Sequence, residues 1–255
     1  MLGKNNTFFL VIPKSSDPEL IKKVIKNNVP DISEKNIDSV LSHIDKIYCG
    51  LLTSRKTTTY QISASCNVPG SFIPNIFSRK KGFSKSVYSV GSYNFDIYNN
   101  EAINISFPDS SVFCLGRDIP QMLDSYVQIK KNGFLITEDE NLSEENSDFL
   151  NSSENEIRFF ANKPQSFLSM LTGVNLDMKL LWVKGQIYLD DNIKETYLLD
   201  LDFNFINEKY VKAGKALLTL AFGLSETTNE LSTPTELRIE GIRLNKNNVL
   251  KLLTL

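Results

Sequence analysis

The side chains that could do chemistry in this chain are few and scattered. Asp200 and Asp202 stand two apart in an alternating run, so they share one face of a strand. Carboxylates paired this way can hold a divalent cation or pass a proton; on an outer strand face they are more often simply solvated. His43 is the one histidine, beside Ser42 and Asp45, and no nucleophile or orienting group accompanies it at a recognisable spacing. Cys49, Cys66 and Cys114 form neither a close ligand pair for zinc nor an even disulfide set. Cys66 falls on the apolar side of its strand, and the expected hairpin register turns Cys49 to the opposite side, which rules against a bridge. Asp190-Asp191-Asn192 marks a turn without the further oxygen ligands of a calcium loop. Gly214-Lys215 has Lys209 and Ala216 where a phosphate loop needs Gly and Ser or Thr. No catalytic residue, metal ligand or cofactor site is therefore expected.

A basic and aromatic patch comprises Arg79, Lys80, Lys81, Phe83 and Lys85, with Tyr88 and Tyr93 nearby. Basic residues interleaved with aromatic ones can track a phosphate backbone and stack bases. Lys81-Gly82-Phe83 resembles the opening of the RNA-recognition-motif signature. The resemblance ends at Ser84 and Lys85, which stand where a small residue and an aromatic one are wanted. A net charge of −2 provides no field to draw nucleic acid or an anionic membrane to the whole chain, so nucleic acid is not an expected partner.

The elements that would position these residues are clearer. Residues 7–12 read as a buried strand closed by Pro13. Ser16-Asp17-Pro18-Glu19 starts a helix, with a cap, a proline in the first turn and an acid after it. A second helix begins at Ser33. Two hairpins follow a common plan: Gly50 centres the first strand of one, and Tyr60, Ile62, Ala64 and Cys66 line its second; Gly185 and Tyr197, Leu199, Leu201, Phe203 and Phe205 do so in the other. The opposite faces carry Thr59, Gln61, Ser63 and Ser65, and Asp200, Asp202 and Asn204. These are the flat polar surfaces that a partner could cover. A meander at 93–115 extends the first sheet, a helix closes it, and residues 207–222 form the longest helix of the second half.

Each half reads strand, helix, hairpin, helix, further strand. That order resembles the ferredoxin-like βαββαβ unit. The expected fold is α+β, two tandem units with antiparallel sheets covered by helices: 1–137 with an added meander, and 155–255. Between them, residues 138–154 hold seven acids and no Lys or Arg, the composition of a solvated linker. A superfold hosts many functions, so the resemblance implies none. The sequence points to a non-enzymatic binding, scaffold or assembly protein acting through a protein partner. The alternatives are an enzyme with a site near Asp200 and Asp202, or a nucleic-acid binder using Arg79 to Lys85. No segment is long and apolar enough for a transmembrane span. The location expected is cytoplasmic if Met1 is the native start, and the cell envelope or periplasm if a signal has been removed. No oligomeric state is specified.

Overall fold

Antiparallel strands dominate the computed structural model, which describes residues 2–3, 5–28, 33–53, 58–70, 73, 77–79, 82–100, 103–132, 141–162, 164–173, 178–193, 195–222, 228–230 and 233–253. The first elements are β1 (Phe8–Pro13), α1 (Pro18–Asn28), α2 (Glu34–Ser42), β2 (Ile44–Thr53), β3 (Thr58–Cys66), β4 (Ser84–Val90), β5 (Tyr93–Asn99), β6 (Asn104–Asp109), β7 (Val112–Gly116) and α3 (Ile119–Asn132). After them come α4 (Glu144–Asn151), β8 (Ile157–Ala161), α5 (Gln165–Thr172), β9 (Leu180–Leu189), β10 (Thr196–Phe205), α6 (Lys209–Phe222), β11 (Thr228–Glu230), β12 (Glu236–Asn245) and α7 (Lys246–Leu253). Two units form, and neither is a simple half of the chain. Met1–Lys14 and Asp38–Asp148 make the first; Ser15–Ile37 and Phe149–Leu255 make the second.

The sheet of the first unit runs β1-β2-β3-β7-β6-β5-β4. Helix α3 covers one face, packing Ile119, Met122, Leu123, Tyr126 and Val127 against Phe95, Ile97 and Cys114. That side includes the polar face of β3, expected from sequence as a surface that a partner could cover. Gln61 is 3% exposed and Ser63 2%. Their burial is possible because neighbours satisfy them. Gln61 accepts from the Gly3 amide at 2.7 Å and donates to Gln121 on α3 at 3.1 Å, while Asn6 donates to Gln61 at 3.1 Å. Tyr60, on the side read as apolar, is 36% exposed. Cys49 lies directly across from Ile62 and Cys66 across from Ile44, so the two thiols share a face after all. They are kept apart along the strands, and all three cysteines are free.

The sheet of the second unit runs β11-β12-β10-β9-β8. Here the apolar pattern and the core coincide: Tyr197, Leu199, Leu201, Phe203 and Phe205 are all buried, facing Leu237, Ile239, Ile242 and Leu244 of β12. A βαββαβ unit places its third strand between the first and second. In both units the first strand instead pairs with the first strand of the hairpin, β1 with β2 and β8 with β9. The ferredoxin-like arrangement does not form. The first three strands of each sheet are neighbours in chain order, β1-β2-β3 and β8-β9-β10, and a later strand, β7 or β12, returns beside the third. The stretch expected as a solvated linker contains α4. Ser143 caps that helix, accepting from the Asn146 amide at 3.3 Å, and Glu144 and Glu145 occupy the first turn, where the helix dipole favours acids. Glu138, Asp139 and Glu140 lie outside the described residues.

Both hairpin glycines are required by close approach. A Cβ on Gly50 would stand 2.7 Å from the buried Asn6 side chain. A Cβ on Gly185 would stand 2.4 Å from the Asp200 carbonyl oxygen and 2.7 Å from the Phe159 ring. Gly185→Ala is expected to lower stability by about 2–3 kcal/mol through overpacking, read as a fall in the urea unfolding midpoint. Gly70→Ala, where a Cβ meets nothing, should change it by no more than about 0.5 kcal/mol.

Candidate functional site

The polar face of the second unit gathers most of the residues singled out from sequence. Asp200 and Asp202 do share that face of β10, as their spacing requires, but each is engaged by its own donors. Asp202 takes a two-pronged ion pair from Arg238 on β12, at 2.6 and 2.7 Å. Bidentate pairing of this kind is strong and directional. Asp200 accepts from Gln186 at 3.0 Å, from the Tyr188 hydroxyl at 3.4 Å and from the Gly241 amide at 2.9 Å. Gly241 has φ +72° and sits where the β10–β12 register slips between Leu199 and Leu201. The carboxylate of Asp200 thus satisfies the backbone of a β-bulge. Among the described residues no group of three or more His, Cys, Asp and Glu is arranged to hold a metal ion.

Beside this network lies a cleft of about 370 Å³, lined by Ser15, Ser16, Glu156, Gln186, Tyr188 and Asp191 among others. Its polar groups are largely committed. Ser15 donates to the Glu154 carbonyl at 2.7 Å, Glu156 pairs with Arg158 at 3.4 Å, and Gln186 and Tyr188 both point to Asp200. Further along the face, Lys184 lies over the rings of Phe149 and Trp182 at 5.3 and 5.1 Å, and Arg158 over Phe149 at 5.0 Å.

A second cluster in this unit escaped sequence reading. Asp17 is the cap of α1, accepting the Leu20 amide at 2.9 Å. The same carboxylate accepts a short hydrogen bond from the Tyr197 hydroxyl on β10 and pairs with Lys246 of α7 at 3.3 Å. Burial by itself would raise the Asp17 carboxyl; the Tyr197 hydroxyl, the Leu20 amide and Lys246 outweigh it and hold the group below its usual range. Burial and the Asp17 charge push the Tyr197 phenol up. The arrangement ties α1 to the unit.

The remaining candidates separate. In the basic patch, Arg79 is exposed, Phe83 packs edge-on against Phe77 at 5.1 Å, and Lys85 lies on strand β4 paired with Asp96 at 2.7 Å. Lys80 and Lys81 lie outside the described residues. His43 is half-buried at the end of α2, with its carbonyl accepting from the Asn67 amide. Burial pushes the Cys114 thiol up to about 12 and that of Cys66 up to about 11, the opposite of an activated nucleophile. Gly214 has a packing role: a Cβ there would stand 2.3 Å from the Phe205 ring, so the glycine lets α6 cross β10 closely.

Helix α6 presents the other feature that the sequence reading missed. Its outward stripe runs from Lys209 and Lys212 through Ala213 and Ala216 to Leu217 and Leu220, and all six are exposed. Leu220 is 82% exposed. The helix contains no acid. The absence of polar residues on the outer side of its second half was the available signal.

Comparison with known proteins supplies a family and a fold. The family model described as outer membrane-associated lipoprotein TP0453 matches residues 1–250. Crystal form I of TP0453 is similar at a TM-score of 0.72 and 16% identity, covering 99% of this chain and 94% of that one. Form III matches at 0.70 and 15%, covering 99% and 95%. Form IV matches at 0.66 and 15%, covering 99% and 94%. At these identities the likeness is one of fold, a mixed α/β structure with a large antiparallel sheet and helices. No curated protein matches the chain.

Each carboxylate cluster contributes separately to stability. Asp17 has a lowered folded pKa, so its stabilisation is present above the ordinary value of 3.8 and disappears as pH falls through the lower folded value. Asp17→Asn should cost about 2 kcal/mol at neutral pH and flatten the acid limb of a stability-versus-pH profile measured by guanidinium unfolding. Asp202→Asn should cost about 1–2 kcal/mol by stranding Arg238. Added Mg²⁺ or Ca²⁺ should leave the wild-type Tm unmoved, because the oxygens of Asp200 and Asp202 already have donors.

Proposed function

The chain belongs to the outer membrane-associated lipoprotein TP0453 family, and from that premise we propose that it is a non-enzymatic envelope protein that docks on an anionic membrane surface through helix α6. One observation carries the reading: α6 has three lysines, no acid and an outward stripe ending in Leu217 and Leu220, both exposed. A helix that is apolar on its outer as well as its inner side has no reason to face water. Lysines beside such a stripe place positive charge at headgroup level while the leucines enter the acyl boundary. Anionic lipid contributes roughly 1 kcal/mol for each basic residue near its surface. Among the described residues no helix is long and apolar enough to cross a membrane, so the contact proposed for α6 lies in the plane of the interface.

Neither alternative from sequence enters this proposal. Asp200 and Asp202 are engaged by donors of β12, Arg238 and the Gly241 amide, which favours a structural part for them. Nucleic-acid binding through Arg79 to Lys85 would need Phe83 free to stack, and its ring packs against Phe77.

Cosedimentation with phosphatidylglycerol vesicles tests the reading. Wild-type protein should pellet with them, less so at high salt and less with phosphatidylcholine alone. Leu217→Glu combined with Leu220→Glu should weaken binding roughly tenfold or more, with the thermal midpoint essentially retained because both side chains are exposed. Equal pelleting of wild type and double variant, or no pelleting of either, rejects α6 as the docking element.

A further inference from the structure

Strand β4 ends the sheet of the first unit, with β5 as its neighbour on one side. The pairing is regular from Ser84↔Asn99 to Val90↔Tyr93, closed by a two-residue turn in which Gly91 has φ +59°. In such a hairpin the pair flanking the turn is hydrogen-bonded, and bonded pairs alternate from there. Ser84, Ser86, Tyr88 and Val90 therefore direct their amides and carbonyls to β5. Lys85, Val87 and Ser89 direct theirs to the open edge. One contact checks this phasing independently: Ser106 on β6 donates to the Asp96 carbonyl at 2.8 Å, so that carbonyl points away from Val87, its partner across the β4–β5 pair.

Sheets normally blunt an open edge with a proline, a bulge, a charged side chain or shortness. Strand β11, at the end of the other unit's sheet, uses shortness, with three residues. Among the described residues β4 carries one of these, Lys85, whose ammonium is paired with Asp96 at 2.7 Å. It has seven residues, no proline and no register slip. Val87, at its centre, is 61% exposed.

We propose that this edge is a self-association site, on which a second copy of the chain adds its own β4 as an antiparallel strand about a two-fold axis at Val87. An isologous contact must be self-complementary, and this strand is. Pairing about Val87 sets Lys85 against Ser89, Ser86 against Tyr88, and Val87 against its own copy. No like charges face each other, because each Lys85 meets a serine and keeps Asp96 of its own subunit. The residues whose backbone groups face outward, Lys85, Val87 and Ser89, are the ones that meet in this register, so each facing pair exchanges both hydrogen bonds. A foreign strand would need side-chain pockets for specificity. The exposed serines and single lysine of β4 offer none, and the self-register supplies that specificity from the sequence itself.

Sedimentation velocity of the whole chain tests the proposal. The 28.9 kDa monomer should give way to a species of twice that mass as concentration rises. Val87→Lys sets two ammonium groups across the axis and should weaken the dimer about tenfold or more, leaving the β4–β5 bonds and the thermal midpoint intact. Val87→Cys provides a gain-of-signal readout. Residues in a hydrogen-bonded pair have Cα atoms about 5.5 Å apart, within reach of a disulfide, so mild oxidation should cross-link two copies through that residue while wild type stays uncross-linked. A monomer at every concentration overturns the proposal. So does a dimer indifferent to Val87→Lys, a Val87→Cys chain that fails to cross-link, or an edge occupied by a different polypeptide.

Discussion

A buried carboxylate decides where the first helix of this chain lives. Asp17 caps α1 through the Leu20 amide and takes the Tyr197 hydroxyl and the Lys246 ammonium on its other oxygen. Burying a charge is tolerable only when donors surround it. Those donors come from β10 and α7, which are 180 and 229 residues away along the chain. The second unit is therefore completed by a segment from near the start of the chain. The first unit is assembled from what lies on either side of that segment.

Local chemistry was legible in the sequence, and partners across space were not. Asp17-Pro18-Glu19 announces a helix start, and a helix starts there, but nothing in those residues names Tyr197 or Lys246. The alternation in β10 sorts its side chains correctly because its covered face is uniformly apolar. In β3 the same alternation separates two faces without saying which is covered. Helix α3 and the N-terminal segment settle that, and Gln121 with Asn6 makes burial of Gln61 acceptable. Strand β4 went unread because nearly all of it is exposed, so burial wrote no period into it. Its Lys85 stood out only as part of the basic and aromatic patch.

The candidate site shows the same division. The spacing of Asp200 and Asp202 puts them on one face, as expected. Their work is to hold Arg238 and the backbone of a bulge at Gly241, and this depends on β12 arriving alongside with one extra residue. Gly241 in an otherwise regular strand pattern was the one signal of that bulge. Gly214 fails the phosphate-loop spacing, and the Phe205 ring beneath it supplies the reason for a glycine in mid-helix. In each case a residue type that suggests chemistry in isolation answers to a geometric need of its neighbours.

The seating of α1 also orders events in time. During synthesis residues 15–37 emerge well before their seat on β10 and α7. Through that interval the strands on either side of the segment can pair, since β1, β2 and β3 are close in sequence. Helix α1 meanwhile stays unseated with its apolar side, Leu20 and Ile21, open to solvent. A chain interrupted before Lys246 holds everything needed for the first unit and carries an unseated amphipathic helix. The seating of α1 thus waits on Tyr197 and Lys246.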